Sequence, residues 1–127
     1  MRPVLVDTTV WIAWFRGGRA SASLGTLLRR RAAYVHAWVL GELMLGAGVP
    51  AAHLRDLVLL PALDTVNDEQ MSRFLVEHRL RASGIGWVDL QLLASAHRRG
   101  VALWSLDRAL TRATHAVRLP TWATSPR

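Results

Sequence analysis

The feature that most narrows the folds open to this chain is a pair of short apolar runs, each of which ends on an acid. Val4-Leu5-Val6 lies between Pro3 and Asp7-Thr8-Thr9, and Val101-Ala102-Leu103-Trp104 leads into Ser105-Leu106-Asp107. Neither run alternates apolar with polar residues, so each suits a strand covered on both faces. Such strands belong to parallel sheets wrapped by helices, and those sheets gather ligands beyond the carboxyl ends of their strands. Asp7 and Asp107 are expected at that edge. For Asp7 two readings stay open: an acid placed for chemistry, or a cap for the helix that starts near Thr8.

Between the two runs, helical and strand patterns alternate. Thr9 to Phe15, with Val10, Trp11, Ile12, Trp14 and Phe15, is too apolar all round for a surface helix and ends at Arg16-Gly17-Gly18-Arg19. Ser21 to Arg31 reads as a helix with Leu24, Leu27 and Leu28 inward and Arg29, Arg30 and Arg31 at the end the dipole favours for cations. A strand at Ala33 to His36 follows, then a helix from about Trp38 to Ala47 and another from Ala51 to Leu60 with Leu54, Leu57 and Val58 as its buried stripe. Ala62 to Val66 suits a short strand. Asn67-Asp68-Glu69-Gln70 opens a helix that runs to about Ala82 and carries His78 as a core or edge histidine. After the break at Ser83-Gly84-Ile85-Gly86, Trp87 to Arg99 predicts a helix with Leu90, Leu93, Ala94 and His97 on one stripe. A short helix at Arg108 to Thr114, an edge strand at Val117 to Leu119 and a tail that frays from about Pro120 to Arg127 complete the reading. The alternation implies an α/β sandwich around a mostly parallel sheet. With 127 residues and no repeat or linker, the expectation is a single domain spanning residues 1–127.

The absence of cysteine excludes disulfides, thiolate zinc sites and a cysteine nucleophile. No signal-peptide pattern and no long apolar run is present, so a cytoplasmic protein without membrane contact is expected. Sixteen basic residues, all arginine, against nine acids give a net charge of +7, which favours a polyanion or an acidic partner. The acids themselves divide. Glu69 and Glu77 have arginines at helical spacing and read as solvated pairs worth roughly a few tenths of a kcal/mol each. Glu42 has Trp38, Val39, Leu45 and Gly46 as helical neighbours, and Asp89 has Ile85, Gly86, Leu92 and Leu93. Neither has a local cation to balance it.

Asp7 and Asp107 at strand ends, Asp89 at a helix start and Glu42 within an apolar helix can converge on one edge of a parallel sheet. Four such carboxylates repel one another unless a cation neutralises them. Without cysteine, and without histidines paired at ligand spacing, the fitting cation is one with oxygen ligands, Mg²⁺ or Mn²⁺. Setting those four aside leaves sixteen arginines against five acids, a basic body around an acidic pocket, which suits phosphodiester hydrolysis. Six tryptophans could stack on bases, but Trp11, Trp14, Trp87 and Trp104 stand in apolar contexts and are read as core.

The order Val6-Asp7-Thr8-Thr9, Val39-Leu40-Gly41-Glu42-Leu43, Gly84 through Ala96 with Asp89 near its middle, and Leu103-Trp104-Ser105-Leu106-Asp107-Arg108 resembles a PIN-domain nuclease. Size and spacing are similar to the VapC toxin branch of bacterial toxin-antitoxin pairs. The resemblance implies a PIN-like three-layer α/β/α sandwich and a Mg²⁺-dependent ribonuclease, with Mn²⁺ as a substitute. It matches Asp7, Glu42, Asp89 and Asp107 to the family's acidic quartet, with Asp7 and Asp89 as the usual direct metal ligands, and Ser105 to its hydroxyl residue. Thr8 and Thr9 fall where the family carries small hydroxyl residues. Trp104, in place of a small aliphatic residue, and Trp87-Val88, in place of a polar pair, depart from the pattern, which leaves the implied metal chemistry intact but not the implied substrate contacts. The resemblance further implies a homodimer held by helices of the N-terminal half, and an antitoxin that covers the acidic pocket. Two other classes are weighed. A phosphoacceptor receiver domain is also α/β with an acidic pocket but expects a lysine, and this chain has none. A non-catalytic RNA-binding or regulatory protein would use the acids as caps, an account that fits every one of them except Glu42.

Overall fold

Val4–Val6 form a strand, β1, with all three side chains buried, in a computed structural model that describes residues 2–18, 21–46 and 48–122 and leaves out the side chain of Ser21. The chain then runs α1 (Thr8–Phe15), α2 (Ser21–Arg29), β2 (Ala33–His36), α3 (Ala37–Leu45), α4 (Ala51–Leu57), β3 (Ala62–Leu63), α5 (Asp68–Glu77), α6 (Trp87–Arg99), β4 (Ala102–Trp104) and α7 (Arg108–Ala116). The sheet has the order β3-β2-β1-β4 and every pairing is parallel. Helices α1 to α4 pack on one another and against β2, while α5, α6 and α7 form the second group, with α6 against β3 and β4 and α7 against β4. The result is the expected three-layer α/β/α arrangement.

The strand order explains where a site can form. From β1 the chain builds outward through β2 to β3, then crosses back to place β4 on the other side of β1. The connections therefore diverge between β1 and β4, and a crevice opens there beyond the carboxyl ends. Register brings particular residues to it. Val6 pairs with Trp104, and the Asp7 N–H donates to the Trp104 carbonyl at 2.9 Å, so Asp7 and Ser105 leave the sheet at the same level.

Several elements end earlier than their apolar pattern suggests. α5 stops at Glu77 because Arg79, at φ 54°, and Ala82, at φ 56°, adopt left-handed backbone conformations that no helix continues through. α2 stops at Arg29, with Arg31 at φ 56°. α4 ends at Leu57, and Val58, expected in its buried stripe, is 59% exposed. β3 keeps only two of the five expected residues, because the N–H and C=O of Val66 bond to the Gln91 side chain rather than to a strand. Val117–Leu119 is no strand: Arg118 turns at φ 59°, while Val117 and Leu119 are buried in the core. α7 runs on to Ala116. In α6 the apolar stripe widens, and Leu90 to Ala96 are all buried. Of the tail, Trp122 packs on Trp104 with ring centroids 5.6 Å apart, so it is anchored rather than frayed, whereas residues 123–127 lie outside the described residues, as do Arg19 and Ala47. Among the described residues, no helix is long and apolar enough to cross a membrane.

Candidate active site

Asp7 is 4% exposed and stands at the N-cap position of α1, yet its side chain makes no capping hydrogen bond. Its Oδ2 accepts instead from Thr9 Oγ1 at 2.8 Å and from Ser105 Oγ at 2.7 Å. Both hydroxyls are aimed by the loop between β4 and α7: Leu106 N–H donates to Thr9 Oγ1 at 3.0 Å and Asp107 N–H to Ser105 Oγ at 2.9 Å. With its acceptor side occupied by an amide, each hydroxyl turns its proton to Asp7. Among the described residues, Oδ1 of Asp7 takes no protein hydrogen bond and remains for a ligand.

The other three acids differ in how far local structure accounts for them. Asp107 does cap its helix, accepting from Leu110 N–H at 2.8 Å. Asp89 is the third residue of α6, half-buried, in the first turn where the helix dipole favours an acid and where the Gly86 backbone favours its charged form. Glu42 is exposed on α3 and accepts from Thr8 Oγ1 at 2.7 Å, which ties the first turn of α1 to α3. Of its apolar sequence neighbours, Val39 is in the core while Leu45 and Gly46 are exposed, and none leaves Glu42 buried.

The four nevertheless share one electrostatic field. Burial pushes the Asp89 carboxyl above its ordinary range, and the charge of Asp7 adds to this; the Gly86 backbone pulls the other way, and Asp107 and Glu42 push it up further. Asp89 thus feels the charge of all three of the other acids, Asp7 most strongly, as expected of acids set near the carboxyl edge of one sheet. A family model described as PIN domain matches residues 4–116, from the first residue of β1 to the last of α7.

The chain belongs to the PIN domain family. PIN domains are generally nucleases, and membership sets aside the receiver-domain alternative. A crystal structure of PAE2754 from Pyrobaculum aerophilum has a similar fold, with a TM-score of 0.61 over 93% of this chain and 95% of that one. At 19% identity that likeness speaks for the fold alone. No curated protein matches the sequence.

Whether the acids of this PIN domain suit a cation can be asked of the donors themselves. The ion pair among the described residues is Arg73 with Glu69 at 3.0 Å on the surface of α5, so no described arginine is ion-paired with any of the four acids. Four oxygen donors crowded by like charge and lacking a basic partner fit Mg²⁺ or Mn²⁺ in chemistry. As the side chains stand, no three acids or histidines among the described residues are gathered tightly enough to grip one ion. Asp7 is braced, while Glu42 and Asp107 are exposed, so gathering falls to the less constrained side chains.

Behind the acids lies a buried polar chain that residue spacing did not reveal. His36 Nδ1 accepts from Trp38 N–H at 3.0 Å, which leaves the ring proton on Nε2; from there it reaches Ser95 Oγ at 3.1 Å, and Ser95 donates to Gln91 Oε1 at 2.9 Å. Gln91 also clasps the N–H and C=O of Val66 at 2.7 and 2.9 Å. This network pins α6, two residues beyond Asp89, to β2 and to the segment after β3. The only signal for it in the sequence is two polar residues, Gln91 and Ser95, one helical turn apart in an apolar helix.

Proposed function

We propose that this PIN domain is a Mg²⁺-dependent endoribonuclease and the toxin of a toxin-antitoxin pair. The observation that carries the reading is Asp7: an acid at a cap position that forgoes the cap, held by Thr9 and Ser105 at the mouth of a crevice shared with Glu42, Asp89 and Asp107. A purely structural set of acids accounts for Asp107 and in part for Asp89, but not for Asp7.

In this reading Asp7 and Asp89 would hold the cation, with Glu42 and Asp107 contributing directly or through water. Bound Mg²⁺, or Mn²⁺ in its place, supplies Lewis acidity at the phosphate and a water of lowered pKa. Ser105 and Thr9 keep Asp7 in one orientation before substrate arrives, so that carboxylate needs no reorganisation on binding, while Glu42 and Asp107 move to it. Arginines of the basic body hold the RNA backbone. The oxygen of water bonds to phosphorus as the P–O3′ bond breaks; the phosphate stays on the 5′ oxygen of the downstream nucleotide, and the 3′ oxygen of the upstream nucleotide takes a proton and leaves as a hydroxyl.

The reading includes a cognate antitoxin and a homodimer. Met44, Leu45, Val58 and Leu59 are 65%, 91%, 59% and 81% exposed at the ends of α3 and α4, apolar surface in the N-terminal half that a second copy suits.

The test is cleavage of a mixed cellular RNA pool by purified protein in Mg²⁺, with an EDTA control and an Asp7→Asn variant whose fold is verified by circular dichroism. Discrete cuts that vanish with EDTA and fall about a hundredfold or more in Asp7→Asn are expected. Cleavage that survives in Asp7→Asn would remove the basis of the assignment, and no cleavage by metal-loaded, antitoxin-free protein would favour RNA binding without chemistry.

A further inference from the structure

Trp87 stands out from the other tryptophans of the fold. Trp11 and Trp104 are 1% and 5% exposed and belong to the core, but Trp87, expected beside them, is 47% exposed. It is the first residue of α6, two before Asp89, and Gly86 before it has no side chain to cover the ring. The approach to it is built close to the other acidic helix start: a Cβ at Gly84, which stands at φ +90°, would lie 3.6 Å from the Ala109 Cβ of α7. Leu106, beside Asp107, is also exposed, at 53%, so the acid crevice carries apolar residues on its rim. The remaining strongly exposed large apolar residues among those described, Met44, Leu45, Val58, Leu59 and Val76, lie on or just beyond α3, α4 and α5.

Residues two apart on a helix do not share a face. The indole therefore does not enter the carboxylate crevice; it flanks it. We propose that Trp87 is a stacking subsite for one unpaired nucleobase of the RNA, next to the phosphodiester presented to Asp7 and Asp89. This rests on the nuclease reading and narrows its substrate class to single-stranded RNA, because the face of a base in a duplex is already covered by its neighbours. An indole receives any of the four bases, since each has a π-face, so Trp87 positions the strand without selecting sequence.

The experiment measures binding without turnover, in the Asp7→Asn background, by fluorescence anisotropy of a labelled single-stranded RNA. Trp87→Ala is expected to weaken binding about five- to 150-fold, the range for one lost stack, while Trp87→Phe stays close to the parent. A scan with an abasic nucleotide at each position then locates the partner: at one position beside the cut, the parent and Trp87→Ala bind equally well. Unchanged affinity in Trp87→Ala overturns the proposal, as does a loss of the same size on every abasic RNA. So does a Trp87→Ala protein that binds RNA normally but no longer binds its antitoxin, which would make Trp87 a protein contact. Cleavage by wild-type protein in Mg²⁺ is scored separately. If it cuts while Trp87→Ala binds normally, only the stacking subsite falls; if it never cuts while the abasic signature holds, only the nuclease reading falls.

Discussion

At the scale of single residues, Asp7 has the position of a helix cap but spends its Oδ2 on the hydroxyls of Thr9 and Ser105. A capping aspartate contributes about 1 kcal/mol to its helix, so the arrangement trades local stability for a fixed carboxylate. Ser105 is the key brace, because it joins Asp7 to the backbone of Asp107 and so couples two of the four acids. Ser105→Ala is expected to lower stability by about 1 kcal/mol and to raise the Mg²⁺ concentration for half-maximal cleavage about 10- to 100-fold. A Mg²⁺ titration of cleavage, beside a urea melt, checks both. The Asp-Thr-Thr adjacency makes Thr9 legible as a partner of Asp7, but Ser105 lies 98 residues away and reaches it only through the pairing of β1 with β4. Glu42 shows the reverse: its apolar sequence neighbours suggest enclosure, and the fold leaves it exposed with the Thr8 hydroxyl as partner.

At the scale of elements, α6 carries the heaviest duty, holding Asp89 at its start while burying seven consecutive residues, Leu90 to Ala96. Gln91 and Ser95 would be costly there without partners, and His36 and Val66 supply them. Gln91→Leu leaves the N–H and C=O of Val66 unpaired and is expected to destabilise the fold by about 1 to 3 kcal/mol, read from a shifted urea midpoint. His36 of this network and His97, further along α6, set a pH dependence. Burial lowers the pKa of His36 from 6.5, with the bond to Gln91 opposing in part, and burial together with His78 lowers that of His97. As pH falls below 6.5 the unfolded chain takes up these protons while the folded chain does not, so stability declines between 6.5 and the depressed native values and is complete above that window. The urea midpoint is expected to be lower at about pH 5.5 than at about pH 7.5, with the slope unchanged; a flat profile would mean that His36 accepts a proton in place. Gln91 also explains the short β3, since it takes the backbone groups of Val66 that a longer strand would have offered to β2.

At the scale of the whole molecule, two surfaces remain after the fold is complete. One is the basic exterior, +7 overall, around a crevice with four acids. The other is the apolar surface at the ends of α3 and α4, which includes Val58, expected from the sequence in the buried stripe of Ala51 to Leu60. Val58 and Leu59 instead face outward, beyond the last turn of α4. The proposed homodimer predicts that Leu59→Arg, at a position 81% exposed, leaves the thermal stability of the protomer nearly unchanged but yields a monomer in sedimentation equilibrium. A wild-type chain that is itself monomeric at micromolar concentration would overturn that assignment of the patch.

Sequence by itself determined the parallel α/β class, the two buried strands that end on acids, and most helix starts, because these follow from apolar runs, caps and glycine breaks a few residues long. It also held the PIN pattern of Asp7, Glu42, Asp89 and Asp107. Tertiary structure alone decided which caps act as caps, that Ser105 braces Asp7, that Gln91 ends β3, and that Trp87 and Leu59 stay outside the core. Each of those depends on groups distant in the chain competing for the same donor, acceptor or apolar surface, and that competition is resolved only when the strands take their register and the helices pack.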